Sequence, residues 1–345
     1  MTPARARRTR GRLLHLNAAE QTFTDRLASE LPELLEPGDL LVVNDAATLP
    51  ASLHGTARPH GLQPDSAPGL PIELRLLGQD PDSSWRAVLF GAGDWRTPTE
   101  RRPAPPRLER GARLEFGALT ARVEELLAPS PRLLRVRFDA EGARFWSALY
   151  RAGRPVQYSY LEAPLELWDT QTSYAARPWA AEAPSAGYAL DGACLLALRA
   201  RGVELTALTH AAGLSATGDP ALDAALPLAE RFSIPERSVS AIAAARRAGR
   251  RVVAVGTSVV RALEGSALEH GGQLRAGEGS TTLRIGPGYR RQVIDALLTG
   301  MHDPAESHYA LLQTFAPRAL LGQAHAQAQA WGYLGHEFGD ACLIV

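Results

Sequence analysis

An apolar run, Val252-Val253-Ala254-Val255, is followed at once by Gly256-Thr257-Ser258 and then by apolar residues at helical spacing from Val259 to Leu268. No other stretch constrains the fold of this chain as tightly. The run is mostly β-branched and too short for a helix, so it predicts a buried strand. A glycine-hydroxyl turn between strand and helix presents free backbone N–H groups and two hydroxyls at a helix N-terminus. That arrangement suits an anion, a carboxylate or a ribose hydroxyl. Arg261 and Glu264 stand one turn apart on the same helix and read as a fixed charge pair near that mouth. Taken alone, an ordinary Ser or Thr N-cap explains the turn equally well.

The chain has 345 residues, 45% of them hydrophobic and 21% charged, with a formal net charge of zero. It is long enough for a large domain carrying an insertion, and its composition is that of a globular protein with a full core. Zero net charge excludes a global field drawing it to nucleic acid, so any such contact has to come from a local patch. Every one of the 37 basic residues is Arg, which supplies bidentate donors for carboxylate or phosphate. Two cysteines, Cys194 and Cys342, are too few for a disulfide framework or a cysteine zinc site, and they predict a reduced, cytoplasmic setting. No apolar run approaches the ~18 residues of a membrane span. The N-terminal arm carries Arg5, Arg7, Arg8, Arg10 and Arg12 and reads as a solvated arm or an RNA contact.

Along the chain, Leu13 to Leu16 predicts a strand, Thr24 to Leu35 a helix closed by Pro37-Gly38, and Asp39 to Val43 a buried strand ending at Asn44-Asp45. From about Ser52 to Phe138 short alternating segments are separated by Pro, Gly, Asp and Arg clusters: Ile72 to Leu77, Trp85 to Leu89, Ala112 to Phe116, Leu119 to Glu125, and Leu133 to Phe138. This spacing predicts a small antiparallel barrel or sandwich. Helices follow over Glu141 to Arg151, Cys194 to Arg201, Val239 to Ala248, Tyr289 to Gly300 and Ser307 to Phe315, with a strand from Val203 to Leu208. The expected architecture is an α/β main domain, 1–52 and 139–345, interrupted by a small antiparallel β-barrel domain, 53–138.

Polar clusters fall at the ends of these elements. Gln171, Thr172 and Tyr174 precede the small-residue turn Ala183-Pro184-Ser185-Ala186-Gly187, where a ligand can approach backbone closely. Gly286-Pro287-Gly288-Tyr289 is read as opening a helix with Asp295 on its second turn. His302 lies in the loop Thr299 to Pro304, and Phe338-Gly339-Asp340 precedes a C-terminal strand.

In this order and spacing, GDLLVVND with Pro50, QTSYA, APSAG, LRARGVEL, VGTSVVRALE, PGY with VIDALLTG, MH-P and FGDACLI resemble the S-adenosylmethionine:tRNA ribosyltransferase-isomerase family of queuosine synthesis. The resemblance runs from about Arg8 to the last residue and is densest after Gln171. It implies an α/β domain with an inserted β-barrel. It also implies transfer of the ribosyl part of S-adenosylmethionine to 7-aminomethyl-7-deazaguanine in a tRNA anticodon stem-loop, with release of adenine and methionine and no metal. The sulfonium acidifies the neighbouring C5′ hydrogens, so this chemistry needs a general base. Matched by type and position, Asp45 or His302 is assigned to proton transfer, and Arg261 with Thr257, Ser258 and Gly256 to an anionic group. Gln171, Tyr174, Ser185 and Gly187 are assigned to the nucleoside pocket, and Asn44, His210, Glu264, Tyr289 and Asp340 to further substrate contacts.

The chain also departs from the family pattern. N-D-T-R-V-I-P-A-R is here Asn44-Asp45-Ala46-Ala47-Thr48-Leu49-Pro50-Ala51-Ser52, without two arginines. A-P-T-A-G-L-H-F is Ala183 to Leu190 without its His. His210 matches L-H-V-G only with a shift of one residue, and M-H-S-E keeps only Glu230. These losses leave two further readings open: an S-adenosylmethionine-dependent paralogue with a small-molecule acceptor, and a catalytically silent binding protein of the same fold.

Overall fold

The computed structural model describes residues 11–58, 68–304, 307–336 and 338–345. Arg5, Arg7, Arg8 and Arg10 of the N-terminal arm lie outside the described residues. The strands are β1 (Arg12–Asn17), β2 (Thr22–Leu27), β3 (Leu40–Asn44), β4 (Ala46–Thr48), β5 (Ser52–Arg58), β6 (Leu70–Gln79), β7 (Trp85–Phe90), β8 (Arg113–Phe116), β9 (Leu119–Leu126) and β10 (Leu133–Phe138). After the barrel come β11 (Arg177–Ala180), β12 (Glu204–His210), β13 (Glu230–Ile234), β14 (Val252–Val255), β15 (Gly277–Thr281), β16 (Ala296–Gly300) and β17 (Ala341–Ile344).

The main sheet runs β15-β13-β12-β3-β14-β16-β17-β1-β2, and β10-β7-β6-β5-β8-β9 close into an antiparallel barrel. An α/β domain with a barrel inserted in its chain is the architecture the strand spacing predicts. At the centre of the sheet β12, β3, β14 and β16 are mutually parallel. Such strands are covered on both faces, which explains their continuous apolar sequences. Val252 and Ala254 join one core with Val259, Val260 and Leu263 of the helix Thr257–Glu269. Val253 and Val255 face a second core with Leu31, Leu190 and Leu198. The barrel fills its interior with its own apolar residues, capped by Phe145 and Leu149 of the helix Gly142–Ala152.

Two segments differ from the sequence reading. Thr22–Leu27, expected in a helix from Thr24 to Leu35, is strand β2, paired antiparallel with β1 from Arg12↔Leu27 to Asn17↔Thr22. Only Ala28–Glu30 and Leu31–Leu34 are helical. Alternate residues of β2 can bond to β1, and Arg12 reaches Asp25 with its guanidinium, so tertiary pairing wins over a weak helical pattern. Likewise Tyr289 to Gly300 is no helix. Gly286 to Tyr289 form a turn, and Ala296–Gly300 is strand β16, seated between β14 and β17. The Glu264 carboxylate accepts from the N–H groups of Gln292, Val293 and Ile294 and holds that stretch extended toward the sheet.

Two arginines bind one carboxylate where the barrel meets the main domain. Glu73 accepts from Arg75 at 2.6 Å and from Ser52 at 2.7 Å, and also from Arg102. Burial alone would raise its pKa, but the two guanidiniums outweigh burial and hold the carboxyl at about 2. Both cysteines are free and buried. Among the described residues no helix is long and apolar enough to cross a membrane.

Candidate active site

The parallel quartet delivers its C-terminal ends to one edge of the sheet: His210 from β12, Asn44-Asp45 from β3, Gly256 from β14 and Gly300 from β16. Ligands of open α/β sheets bind outside such strand ends. Gly256 adopts φ +95°, a conformation that favours glycine, and from it the chain turns directly into the helix Thr257–Glu269. A side chain on Gly256 would lie 3.5 Å from Ala186, which fixes the Ser185–Ala189 turn against the same edge.

Asn44 stitches the floor together. Its amide nitrogen donates to the His210 carbonyl at 3.0 Å and to Ser258 Oγ at 3.4 Å, while its oxygen accepts from the His210 N–H at 2.8 Å and the Ala46 N–H at 3.1 Å. Asp45 accepts from the Thr209 hydroxyl at 2.6 Å. Thr299 Oγ1 lies 2.9 Å from Nε2 of His302, whose ring stacks on His308. In sheet order β14 separates β3 from β16, so the strand ends that lead to Asp45 and His302 lie two strand spacings, roughly 10 Å, apart with the Gly256 turn between them.

Arg261 sits one turn inside the helix and is 7% exposed. Its partner is Glu230 of β13, at 2.5 Å, and not the expected Glu264. Periodicity places Arg261 and Glu264 one turn apart, yet Glu264 points to the main chain of Gln292–Ile294 and to the Tyr289 hydroxyl, 3.3 Å away. Glu230 Oε2 lies 3.3 Å from His210 Nε2, and Oε1 accepts from the Gly213 N–H at 2.7 Å. Burial, with a smaller push from Arg261, lowers the His210 pKa to about 3, so the imidazole is neutral. Burial raises the Glu230 pKa against the opposing pull of Arg261. Nη2 of Arg261 and Nε2 of His210 both face Glu230 Oε2, whereas the buried Nε of Arg261 and Nδ1 of His210 have no hydrogen-bond partner among the described residues. Buried donors left this way mark a place for a ligand.

The turn Ser185–Ala189 meets Tyr174. A Cβ on Gly187 would come within 2.1 Å of the Tyr174 hydroxyl oxygen and 2.9 Å of Thr172, so any side chain there would have to displace the Tyr174 ring. Burial raises the Tyr174 pKa, with Tyr188 and Asp45 adding to it. Ser185, Ala186, Tyr188, Thr299, Phe338 and Asp340 line a small cavity of about 30 Å³. Asp340 accepts from the main chain of Arg12 and Leu334, each at 2.8 Å, and closes the C-terminal loop over it.

The sheet edge thus gathers Asn44, Asp45, His210, Gly256, Thr257, Ser258, Arg261 and His302, with Tyr174, Ser185, Gly187 and Asp340 around it. Gln171 is turned elsewhere: its amide exchanges bonds with the Thr48 main chain at 2.9 and 3.0 Å. Glu264 and Tyr289 brace one another deeper along the helix. Sequence reasoning left Glu230 without a role. Its signal is a lone acid at the start of a strand whose alternate residues, Glu230, Phe232 and Ile234, are buried. Among the described residues no group of three His, Cys, Asp or Glu side chains is placed to hold a metal ion.

A family model described as queuosine biosynthesis protein matches residues 1–344. An S-adenosylmethionine:tRNA ribosyltransferase-isomerase of Gluconacetobacter diazotrophicus is 36% identical over 99% of this chain and 91% of its own length. One from Parvibaculum lavamentivorans is 34% identical over 100% of this chain and 94% of its own. The crystal structure of an S-adenosylmethionine tRNA ribosyltransferase from Thermotoga maritima shares the fold, with a TM-score of 0.52 at 22% identity, covering 100% of this chain and 94% of that one. A chain matched from end to end in this way belongs to the queuosine biosynthesis protein family.

Proposed function

We propose that this protein transfers and isomerises the ribosyl moiety of S-adenosylmethionine onto 7-aminomethyl-7-deazaguanine in a tRNA anticodon stem-loop, in the cytoplasm, releasing adenine and methionine. Relatives named S-adenosylmethionine:tRNA ribosyltransferase-isomerase, matched over nearly their whole length, support ribosyl transfer to tRNA. The observation that carries it onto this chain is the buried Arg261, held by Glu230 through Nη2 beside the Gly256 turn, with its buried Nε left without an acceptor among the described residues. A guanidinium so placed suits the methionine carboxylate. We take 1–52 and 139–345 as the catalytic part and 53–138 as the inserted barrel domain.

The sulfonium makes the C5′ hydrogens acidic, and Asp45 or His302, flanking the turn, removes one of them. Thr257 and Ser258 present hydroxyls and N–H groups to the same ligand at the start of the helix. Tyr174, kept protonated by burial, remains a hydrogen-bond donor beside the nucleoside. The neutral His210 and the floor built by Asn44 fix the orientation of these groups. A small-molecule acceptor is the second reading, and the observation favouring it is that Ala46-Ala47-Thr48 after Asp45 carries no guanidinium for phosphate.

The test is incubation with S-adenosylmethionine and either an unmodified tRNA, a tRNA carrying 7-aminomethyl-7-deazaguanine, or the free base, following adenine and methionine by mass spectrometry. Release with the modified tRNA alone is expected. Release with the free base alone transfers the reading to a small acceptor, and no release with any of them removes it.

A further inference from the structure

The barrel carries a feature outside the site at the sheet edge. Its strand register sets Arg58 of β5 opposite Arg113 of β8, Arg113 opposite Arg122 of β9, and Arg122 opposite Arg137 of β10. Directly opposed residues of antiparallel strands point to the same face, and here the neighbours Ala57, Leu114, Val123 and Val136 fill the barrel interior. The four arginines therefore form one outward row, three strand spacings or about 14 Å long. Like charges directly opposed cost stability.

The counter-charges are incomplete. Arg58 and Arg113 share Glu115, at 3.4 and 3.0 Å. Arg137 has Glu124 at 2.5 Å and Asp82 at 3.2 Å. Asp139 accepts from the Thr120 hydroxyl. Among the described residues the side chains of Arg122 and Arg110 make no ion pair and no hydrogen bond. Both border a cleft of about 230 Å³, which Arg137, Phe138 and the carboxylates Glu124 and Asp139 also line. Arg58 lies six residues beyond Ser52, where the strand leaves the main domain, so the row stands on the order of 20 Å out along the barrel. A mononucleotide at the sheet edge cannot reach it; an extended polyanion can.

We propose that this row and its cleft bind the phosphate backbone of the tRNA stem, with Arg122 and Arg110 as the two guanidiniums that gain partners only in the complex. The inference rests on the tRNA reading of the preceding subsection. Phosphate contacts position an RNA without reading its sequence, and each one formed releases counterions and adds to the salt dependence of binding.

The test measures binding of full-length tRNA to the wild-type chain, Arg122→Glu and Arg110→Glu/Arg122→Glu by fluorescence anisotropy from 50 to 300 mM salt, alongside S-adenosylmethionine binding by calorimetry. Arg122→Glu is expected to weaken tRNA binding by about tenfold and to lower the salt slope by about one, the double variant by more, with S-adenosylmethionine affinity unchanged. Because the new carboxylate faces Arg113 and Arg137, Arg122→Glu is also expected to melt at or above the wild-type temperature, which separates lost binding from lost folding. Unchanged tRNA affinity and slope in both variants overturns the inference, and a protein partner on this face would give that result. In that case tRNA-dependent adenine release by the wild-type chain still supports the proposed reaction. Failure of the wild-type chain to bind tRNA overturns both.

Discussion

Arg261 and Glu230 form an ion pair at 2.5 Å with each residue only 7% exposed, bringing the helix after β14 onto β13 at the rim of the sheet edge. A buried pair is costly to break because the surviving charge stays desolvated. Glu230→Gln is therefore expected to lower unfolding free energy by about 3 kcal/mol, read from urea denaturation. A change below about 0.5 kcal/mol, the range of an exposed pair, would show the contact to be solvent-screened.

Function and stability at this pair separate in a second experiment. Arg261→Ala should weaken S-adenosylmethionine binding by on the order of 2 kcal/mol in calorimetry, since a charge-assisted bond to the methionine carboxylate is lost. Adding Glu230→Ala removes the orphaned carboxylate and should recover stability but not affinity. Recovery of both would make Arg261 a purely structural residue.

Gly187 carries the Tyr174 hydroxyl where a Cβ would otherwise be, at 2.1 Å. Gly187→Ala is expected to cost about 1–3 kcal/mol of stability through overpacking, measured as a drop in melting temperature. Combining it with Tyr174→Phe removes the offending oxygen and should restore part of the loss. No rescue would place the strain elsewhere in the turn.

His210 sets a pH dependence. Its folded pKa is pushed down from 6.5 to about 3 by burial and Arg261, so between those values the unfolded chain binds a proton that the folded one refuses. Its neutral form in the fold thus contributes stability that is complete above pH 6.5 and is lost as pH falls toward 3. Equilibrium unfolding across that window should show a slope that His210→Gln lessens. Equal slopes in the two proteins would mean that His210 takes up a proton in the folded state.

Much of this architecture is legible in the residues, where burial is uniform along an element. Val252–Val255 and residues 40–43 are apolar because both faces are covered, and the turn at Gly256 follows from the break in the first run. The barrel strands β8, β9 and β10 alternate, because one face lines a core and the other meets water. Thr22–Leu27 escaped this logic: it is an edge strand, largely exposed, and its identity comes from the partner β1. Tyr289–Gly300 escaped it because three main-chain donors are satisfied by the distant Glu264 instead of by their own helix. The same non-locality hid the Arg261–Glu230 contact, since helical periodicity names neighbours along one element and says nothing of a facing strand. Residue types at the strand ends pointed to the edge of the sheet; the partners that fix those residues came from tertiary structure.

Asn44 has one more consequence. Its side-chain amide gives to the carbonyl of His210 and takes from its N–H, the same exchange that a neighbouring peptide unit would offer. The chain can then peel away from β12 after Asp45 without stranding the donor and acceptor it abandons. The His210 carbonyl and N–H keep a partner at the point where the two strands part. An amide impersonating a length of backbone is what lets this sheet come apart at one point and remain whole everywhere else.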